Sequence, residues 1–235
     1  MKLFEPVLSL IYPPKCLLCQ DFLPKGTVDL CPFCQRRQPE YTARFPQIPF
    51  LHHRLAVWYY EIDVRASLVR FKFYKKRHYA KGYARFLGAK ILRELSGKFD
   101  VIVYVPVSRR RKQERGYDQV KILARALSRE LKVPVVHALK KIRHTPPQSG
   151  MKTEAERKAN VLGAYRVRKP KSIAGKRVLL IDDIITTGAT ISECARMLLS
   201  ADAAVVHGAA VAAARTDNNF YRENDHATFF QRPGR

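Results

Sequence analysis

The sequence predicts an α/β protein: a mainly parallel sheet flanked by helices, with a small N-terminal zinc-binding module. Three observations carry this. Two apolar runs without polar alternation, Val101-Ile102-Val103-Tyr104-Val105 and Val178-Leu179-Leu180-Ile181, read as strands buried on both faces. Each precedes a helical pattern, Leu123/Leu127/Leu131 after the first and Ile191/Cys194/Leu198 after the second, which is the order of a strand–helix–strand unit. Four of the five cysteines fall as Cys16-x-x-Cys19 and Cys31-x-x-Cys34, with eleven residues between the pairs.

The 235 residues accommodate one α/β domain of roughly 150 residues and a small appendage. We divide them into a zinc module (1–40), a linker with an edge strand (41–62), the main domain (63–215) and a polar, aperiodic C-terminal tail (216–235) read as mobile. Forty-four basic against 20 acidic residues give a formal charge of +24, which concentrates polyanions at the surface and points to nucleic acid or a phosphorylated ligand.

Cys16, Cys19, Cys31 and Cys34 have the spacing of two knuckles around a tetrahedral Zn²⁺, and four thiolates leave no open coordination position, so the metal is structural. So short a segment depends on its metal to fold. Two disulfides or redox-active pairs are the alternatives. Residues 1–12 carry Glu5 and Pro6 within a short apolar run and lack a small-residue cleavage site, a poor signal peptide. No stretch approaches the roughly 20 apolar residues of a membrane span, so we expect a cytoplasmic protein with reduced thiols.

In the linker, Pro46 and Pro49 make turns, and residues 55–60 read as an edge strand. Helical spacing begins near Val64, with Leu68, Val69 and Phe73 on the inner face, and resumes with Phe86, Leu87, Ile91 and Leu95. Between residues 70 and 90 lie Arg70, Lys72, Lys75, Lys76, Arg77, Lys81, Arg85 and Lys90 without one acid, interleaved with Phe71, Phe73, Tyr74, Tyr79 and Tyr83. Two readings stand side by side. One is a single-strand nucleic-acid groove, with aromatic platforms for bases and cations along the backbone, using Arg70, Lys72, Lys75, Lys76, Arg77 and Lys81. The other is a solvated basic helix face over core aromatics.

A strand over residues 100–107 ends at Ser108-Arg109-Arg110-Arg111, where the forked donors of Arg109 suit a phosphate. A short strand follows at 133–136, a proline- and charge-rich segment at 145–165, a strand at 160–167 and a last strand at 203–214. The 178–181 strand leads into Asp182, Asp183 and then Thr186-Thr187-Gly188-Ala189-Thr190 at a helix start. In open α/β sheets ligands bind outside the carboxyl ends of strands, and a helix start with free amides favours an anion. A Walker-B strand also ends in acids, but no G-x-x-x-x-G-K-[ST] occurs.

These thirteen residues, 178–190, resemble the signature of type I phosphoribosyltransferases, which bind phosphoribosyl pyrophosphate (PRPP). The resemblance implies a Rossmann-like sheet, ribose hydroxyls held by Asp182 and Asp183, and the 5′-phosphate held by Thr186, Thr187, Gly188, Ala189 and Thr190. It also implies pyrophosphate at Ser108 and Arg109, with Mg²⁺ accompanying PRPP. The chain further resembles the ComF (ComFC-like) branch through its cysteine module, Val105-Pro106-Val107, Arg115-Gly116-Tyr117-Asp118-Gln119, Thr145-Pro146-Pro147-Gln148 and the PRPP loop, in that order. Asp118 departs from the Asn usual there, which removes two donors and adds a charge.

On this resemblance Thr145 and Gln148 belong to a flexible loop that closes over PRPP. The implied function is DNA uptake in natural transformation, with PRPP in its site, single-stranded DNA on the basic surface, and competence helicase or recombination proteins as partners. The alternative is a catalytic phosphoribosyltransferase, in which Asp182 and Asp183 stabilise oxocarbenium character while a nitrogen acceptor displaces pyrophosphate.

Overall fold

The computed structural model describes residues 13–38, 40–42, 47–146 and 153–215. Four parallel strands, β1 (His53–Tyr59), β2 (Val101–Tyr104), β5 (Arg177–Ile185) and β6 (Val205–Ala213), form a sheet in the order β1-β6-β5-β2. A separate antiparallel pair joins β3 (Leu139–Lys141) to β4 (Tyr165–Val167). The expected edge strand is β1, bonded to β6 from His53↔His207 to Tyr59↔Ala213.

The helices are α1 (Pro32–Arg37), α2 (Ile62–Phe73), α3 (Tyr79–Leu95), α4 (Arg109–Arg115), α5 (Gln119–Leu131), α6 (Glu154–Val161) and α7 (Ala189–Leu199). Strand alternation splits the core into two layers. Leu179 and Ile181 of β5 face α2, α3 and α5 through Leu68, Tyr83, Leu87, Leu123 and Leu127. Val178 and Leu180 face α7 and the small hairpin through Ile191, Leu198, Leu139 and Tyr165. A fully buried Leu or Ile of this kind contributes about 1.5–3 kcal/mol. The alanine-rich β6 lets neighbours approach closely: a Cβ on Gly208 would lie 2.8 Å from Leu51 Cδ1.

The cysteine segment shares this core. Leu17, Leu18 and Leu30 are buried with Trp58, Leu68 and Tyr83. Ser67 Oγ of α2 donates to Leu17 O at 2.5 Å, Arg70 Nη2 donates to Leu18 O, and Arg85 of α3 grips Asp29 with Nε···Oδ2 at 2.6 Å.

Several expectations are corrected. Phe73, placed inside by its spacing, is 59% exposed because α2 ends there and the chain turns outward at Lys75, whose φ is +56°. Tyr79 and Tyr83 are buried in the core, while Tyr74 is exposed. The strand at 133–136 is a single parallel bridge, Ile102↔Val135. Asn160 and Val161 end a helix, and the strand starts only at Tyr165. That helix, α6, opens with a capping box in which Thr153 Oγ1 accepts from Glu156 N and the Glu156 carboxylate accepts from Thr153 N. Gln148 and residues 216–235 lie outside the described residues. Among the described residues no helix is long and apolar enough to cross a membrane.

Candidate functional site

The acidic pair is set by strand lengths. β2 stops at Tyr104, opposite Ile181, and Val105 N makes the last bond to Ile181 O. β5 runs on through Asp182 and Asp183 to Ile185, bonded on its other side to β6. Both carboxylates therefore stand beyond the end of β2, in a crevice between strands. Asp183 is buried; its Oδ1 lies 3.0 Å from Lys72 Nζ of α2, and its Oδ2 accepts from Gln119 Nε2 of α5 at 2.8 Å. Asp182 accepts from the amide of Asp183 at 2.8 Å. Burial, and then the Asp183 charge, push the Asp182 carboxyl well above the usual carboxylate range.

Gly188 is the N-cap of α7 with φ +81°, a left-handed conformation that favours glycine, and it provides no side-chain cap. A Cβ there would overlap Ile48 Cδ1 from the linker. Thr187 Oγ1 is buried with no hydrogen-bond partner. A helix start without a side-chain cap leaves amides able to bind an anion, and the unpartnered Thr187 hydroxyl is a further donor beside it. Thr186 and Thr190 are half-buried around a small concavity that also touches Asp182, Gly188 and Ala189.

Ser108 and Arg109 follow the carboxyl end of β2, at the start of α4. Ser108 is buried, caps α4 by accepting from Arg111 N, and pairs with His144 Nδ1 at 3.1 Å; Arg109 is exposed. Thr145 is buried, and its Oγ1 accepts from Lys141 Nζ at 2.7 Å. Lys141 lies 5.2 Å from the Tyr165 ring centroid, and burial, with Arg111 beside it, lowers its ammonium to about 8. Lys141, His144 and Ile48 were missed as site residues by sequence reasoning, and Lys72 was assigned to nucleic acid rather than to Asp183. Gln119 was visible only within a quoted motif. Asp118 makes a structural contact: its Oδ1 caps α5 by accepting from Lys121 N at 2.9 Å.

The six basic residues assigned to nucleic acid divide. Arg70 is turned inward to the carbonyls of Leu17 and Leu18, and Lys72 to Asp183. Lys75, Lys76, Arg77 and Lys81 are exposed. Arg77 donates to Gly116 O at 3.2 Å and lies over the Tyr117 ring; Arg115 lies 4.7 Å over Phe73. A larger cavity of about 520 Å³ lies beside β1, lined by Ile48 among others, where Lys90 and Arg93 are already paired with Glu40 and Glu94.

The four cysteine sulfurs lie within 4.8 Å of one another, and Cys19 Sγ is 3.7 Å from Cys31 Sγ. A tetrahedron with bonds of ~2.3 Å has edges of about 3.8 Å, so the donor set fits zinc. Cys31 N and Cys34 N donate to Cys16 Sγ and Cys31 Sγ, as amides do toward thiolates.

The phosphoribosyl transferase domain model matches residues 79–231. Competence protein ComFC of Bacillus subtilis (strain 168) is 28% identical over 193 residues, covering 78% of this chain and 77% of that protein. The DNA utilization protein YhgH of Escherichia coli (strain K12) is 29% identical over 220 residues, covering 84% and 96%. Among solved structures, the B. subtilis glutamine phosphoribosylpyrophosphate amidotransferase complexed with ADP and GMP is 21% identical with a TM-score of 0.41. That match covers 60% of this chain, which spans only 30% of the other.

Proposed function

The chain belongs to the phosphoribosyl transferase domain family, and from that premise we propose that it is a ComF-type DNA-handling protein that binds PRPP at the 186–190 loop and single-stranded DNA on its basic surface. The supporting observation is continuity: α2 carries Lys72 to Asp183, and the turn that follows α2 brings Lys75, Lys76 and Arg77 to solvent within five residues. Relatives named as competence and DNA utilization proteins support the DNA role.

In this reading the PRPP 5′-phosphate takes the amides at the start of α7 and the Thr187 hydroxyl, and the ribose lies against Asp182. Asp183 is engaged by Lys72 and Gln119. A Mg²⁺ ion would therefore be held mainly by the substrate's own oxygens. Zinc, held by Cys16, Cys19, Cys31 and Cys34, anchors the N-terminal segment on α2 and α3. The place of action is the cytoplasm, with competence helicase or recombination proteins receiving the strand.

Calorimetry with PRPP and Mg²⁺ tests the first half, with Asp182→Asn expected to weaken binding. For the second half, single-stranded DNA affinity should fall with salt at a slope of about −0.7 per phosphate contact. Replacing Lys75, Lys76 and Arg77 together by Ala should flatten that slope. Salt-independent binding, or an unaltered triple variant, removes the DNA role from this ledge.

One observation favours catalysis as a second reading: the β3–β4 hairpin brings Lys141 and Tyr165 near Asp182. Pyrophosphate release from PRPP with a panel of bases and amines decides it, and PRPP binding without turnover eliminates it.

A further inference from the structure

A carboxylate that holds ribose hydroxyls must offer its lone pairs to O–H donors. On Asp183 each oxygen already faces one donor, the Lys72 ammonium at Oδ1 and the Gln119 amide at Oδ2. The pair is poorly screened, with Lys72 only 18% and Asp183 7% exposed. Lys72 thus cancels the negative charge at this end of the sugar site, and its ammonium has further protons to give.

Lys72 also begins a ledge. Phe73 and Tyr74 follow it directly and are 59% and 66% exposed, then come Lys75, Lys76 and Arg77. Tyr117 OH donates to Phe71 O, Arg77 donates to Gly116 O, and Arg115 lies over Phe73. These contacts weld residues 71–77 to residues 115–119, and Lys72 and Gln119 at their inner end both meet Asp183. Aromatic faces flanked by cations leading away from a pentose phosphate site suit a nucleic-acid strand, because bases stack while cations follow the backbone.

Resting on the reading of residues 186–190 as a pentose 5′-phosphate site, we propose that this pocket takes the 5′-phosphorylated end of a DNA single strand. The terminal phosphate lies on the start of α7 with the Thr187 hydroxyl, and the terminal deoxyribose lies against Asp182. The O3′ phosphodiester leaves past Lys72 onto the Phe73–Tyr74 ledge. Within a strand this deoxyribose lacks a 2′-hydroxyl and its O3′ is esterified, so it brings no O–H donor to Asp183, which has its donors in Lys72 and Gln119. A phosphodiester at O3′ would be repelled by a bare Asp183; with Lys72 and Gln119 bound there, it meets a donor surface instead.

The test uses the full chain and two oligodeoxythymidylates that differ only in a 5′-phosphate or a 5′-hydroxyl, each labelled at its 3′ end and followed by fluorescence anisotropy. The phosphorylated strand is expected to bind about tenfold more tightly. PRPP should erase that difference, and Lys72→Met should shrink it to about twofold or less. Equal affinities for wild type overturn the inference without reliance on any variant. So does displacement by deoxythymidine 5′-monophosphate at concentrations matching the strand, which would assign the site to free mononucleotides. Calorimetry with PRPP separates the two levels. PRPP binding without a 5′-end preference overturns the strand-end inference alone; a preference without PRPP binding supports it and removes PRPP; neither signal overturns both.

Discussion

In the four-cysteine module every thiol comes from nineteen consecutive residues, whereas the end of β5 and the loop after it are surrounded by Ile48, Lys72, Gln119 and Lys141 from four other parts of the chain. The first site concentrates its chemistry locally, in four thiols that could hold a metal, and packs on α2 and α3. The second has a recognisable local string, but its electrostatics come from elsewhere. The difference teaches that a motif can specify what kind of group is bound while distant residues set the charge that group meets.

Removing the metal should break the comparison most severely. Zinc-dependent folding is worth on the order of 10 kcal/mol in small modules. Cys31→Ser or strong chelation should therefore unfold residues 13–38 and strip Ser67 and Arg70 of their carbonyl partners. The check is zinc content together with thermal melting, and a melting temperature unmoved by complete zinc loss would show that the module's core contacts suffice.

At the loop, Gly188→Ala combines a left-handed backbone with overlap on Ile48, for an expected loss of about 2–4 kcal/mol. Gly163 has φ +66° but open space around its Cβ position, so Gly163→Ala should cost only about 1–2 kcal/mol. Urea unfolding of the two variants separates overlap from backbone strain; equal losses would mean that Ile48 simply moves aside.

Arg70→Ala sharpens the other side, by cutting α2 from the module without touching a cysteine. The hydrogen bonds of a charged group are worth about 1.5–3 kcal/mol, and that is the expected loss. Its melting curve should show the module loosening while the α2–α5 core holds, and unchanged stability would mean that Ser67, Arg85 and the buried Leu17, Leu18 and Leu30 suffice for docking.

The smallest effect concerns Asp182. Its folded carboxyl titrates above the unfolded value, so the folded state binds the extra proton. Stability is full below the unfolded value of roughly 4 and falls as pH rises toward the elevated folded value. Asp182→Asn should remove that fall and stabilise the ligand-free protein by about 1 kcal/mol at neutral pH, after allowance for partial exposure. Melting temperatures measured from acid to neutral pH decide it. A variant with the same pH profile as wild type would place the titration elsewhere.

Much of this was legible from residue order alone. The runs at 101–105 and 178–181 announce buried strands because a strand covered on both faces has no reason to alternate. The Asp182-Asp183 pair, the Thr-Gly loop and the two cysteine knuckles are local strings whose spacing carries their chemistry. Periodicity was blind where a helix stops: Phe73 fits the inner face of α2, yet α2 ends there and the ring turns outward. It was blind too at residues 154–161, where the Thr153–Glu156 capping box sits among charges that conceal a helix.

By itself, then, the sequence determined the parallel sheet, the four-cysteine cluster and the glycine-capped helix start after the acidic pair, because apolar runs, thiol spacing and a glycine at a helix start are properties of neighbours along the chain. Only the tertiary structure decided that β2 ends one residue short of the acidic pair, that Arg70 holds the cysteine module, and that Lys72 neutralises Asp183. Those outcomes depend on which side chains meet across dozens of residues. A lysine in a basic run looks the same in sequence whether it faces water or a buried carboxylate.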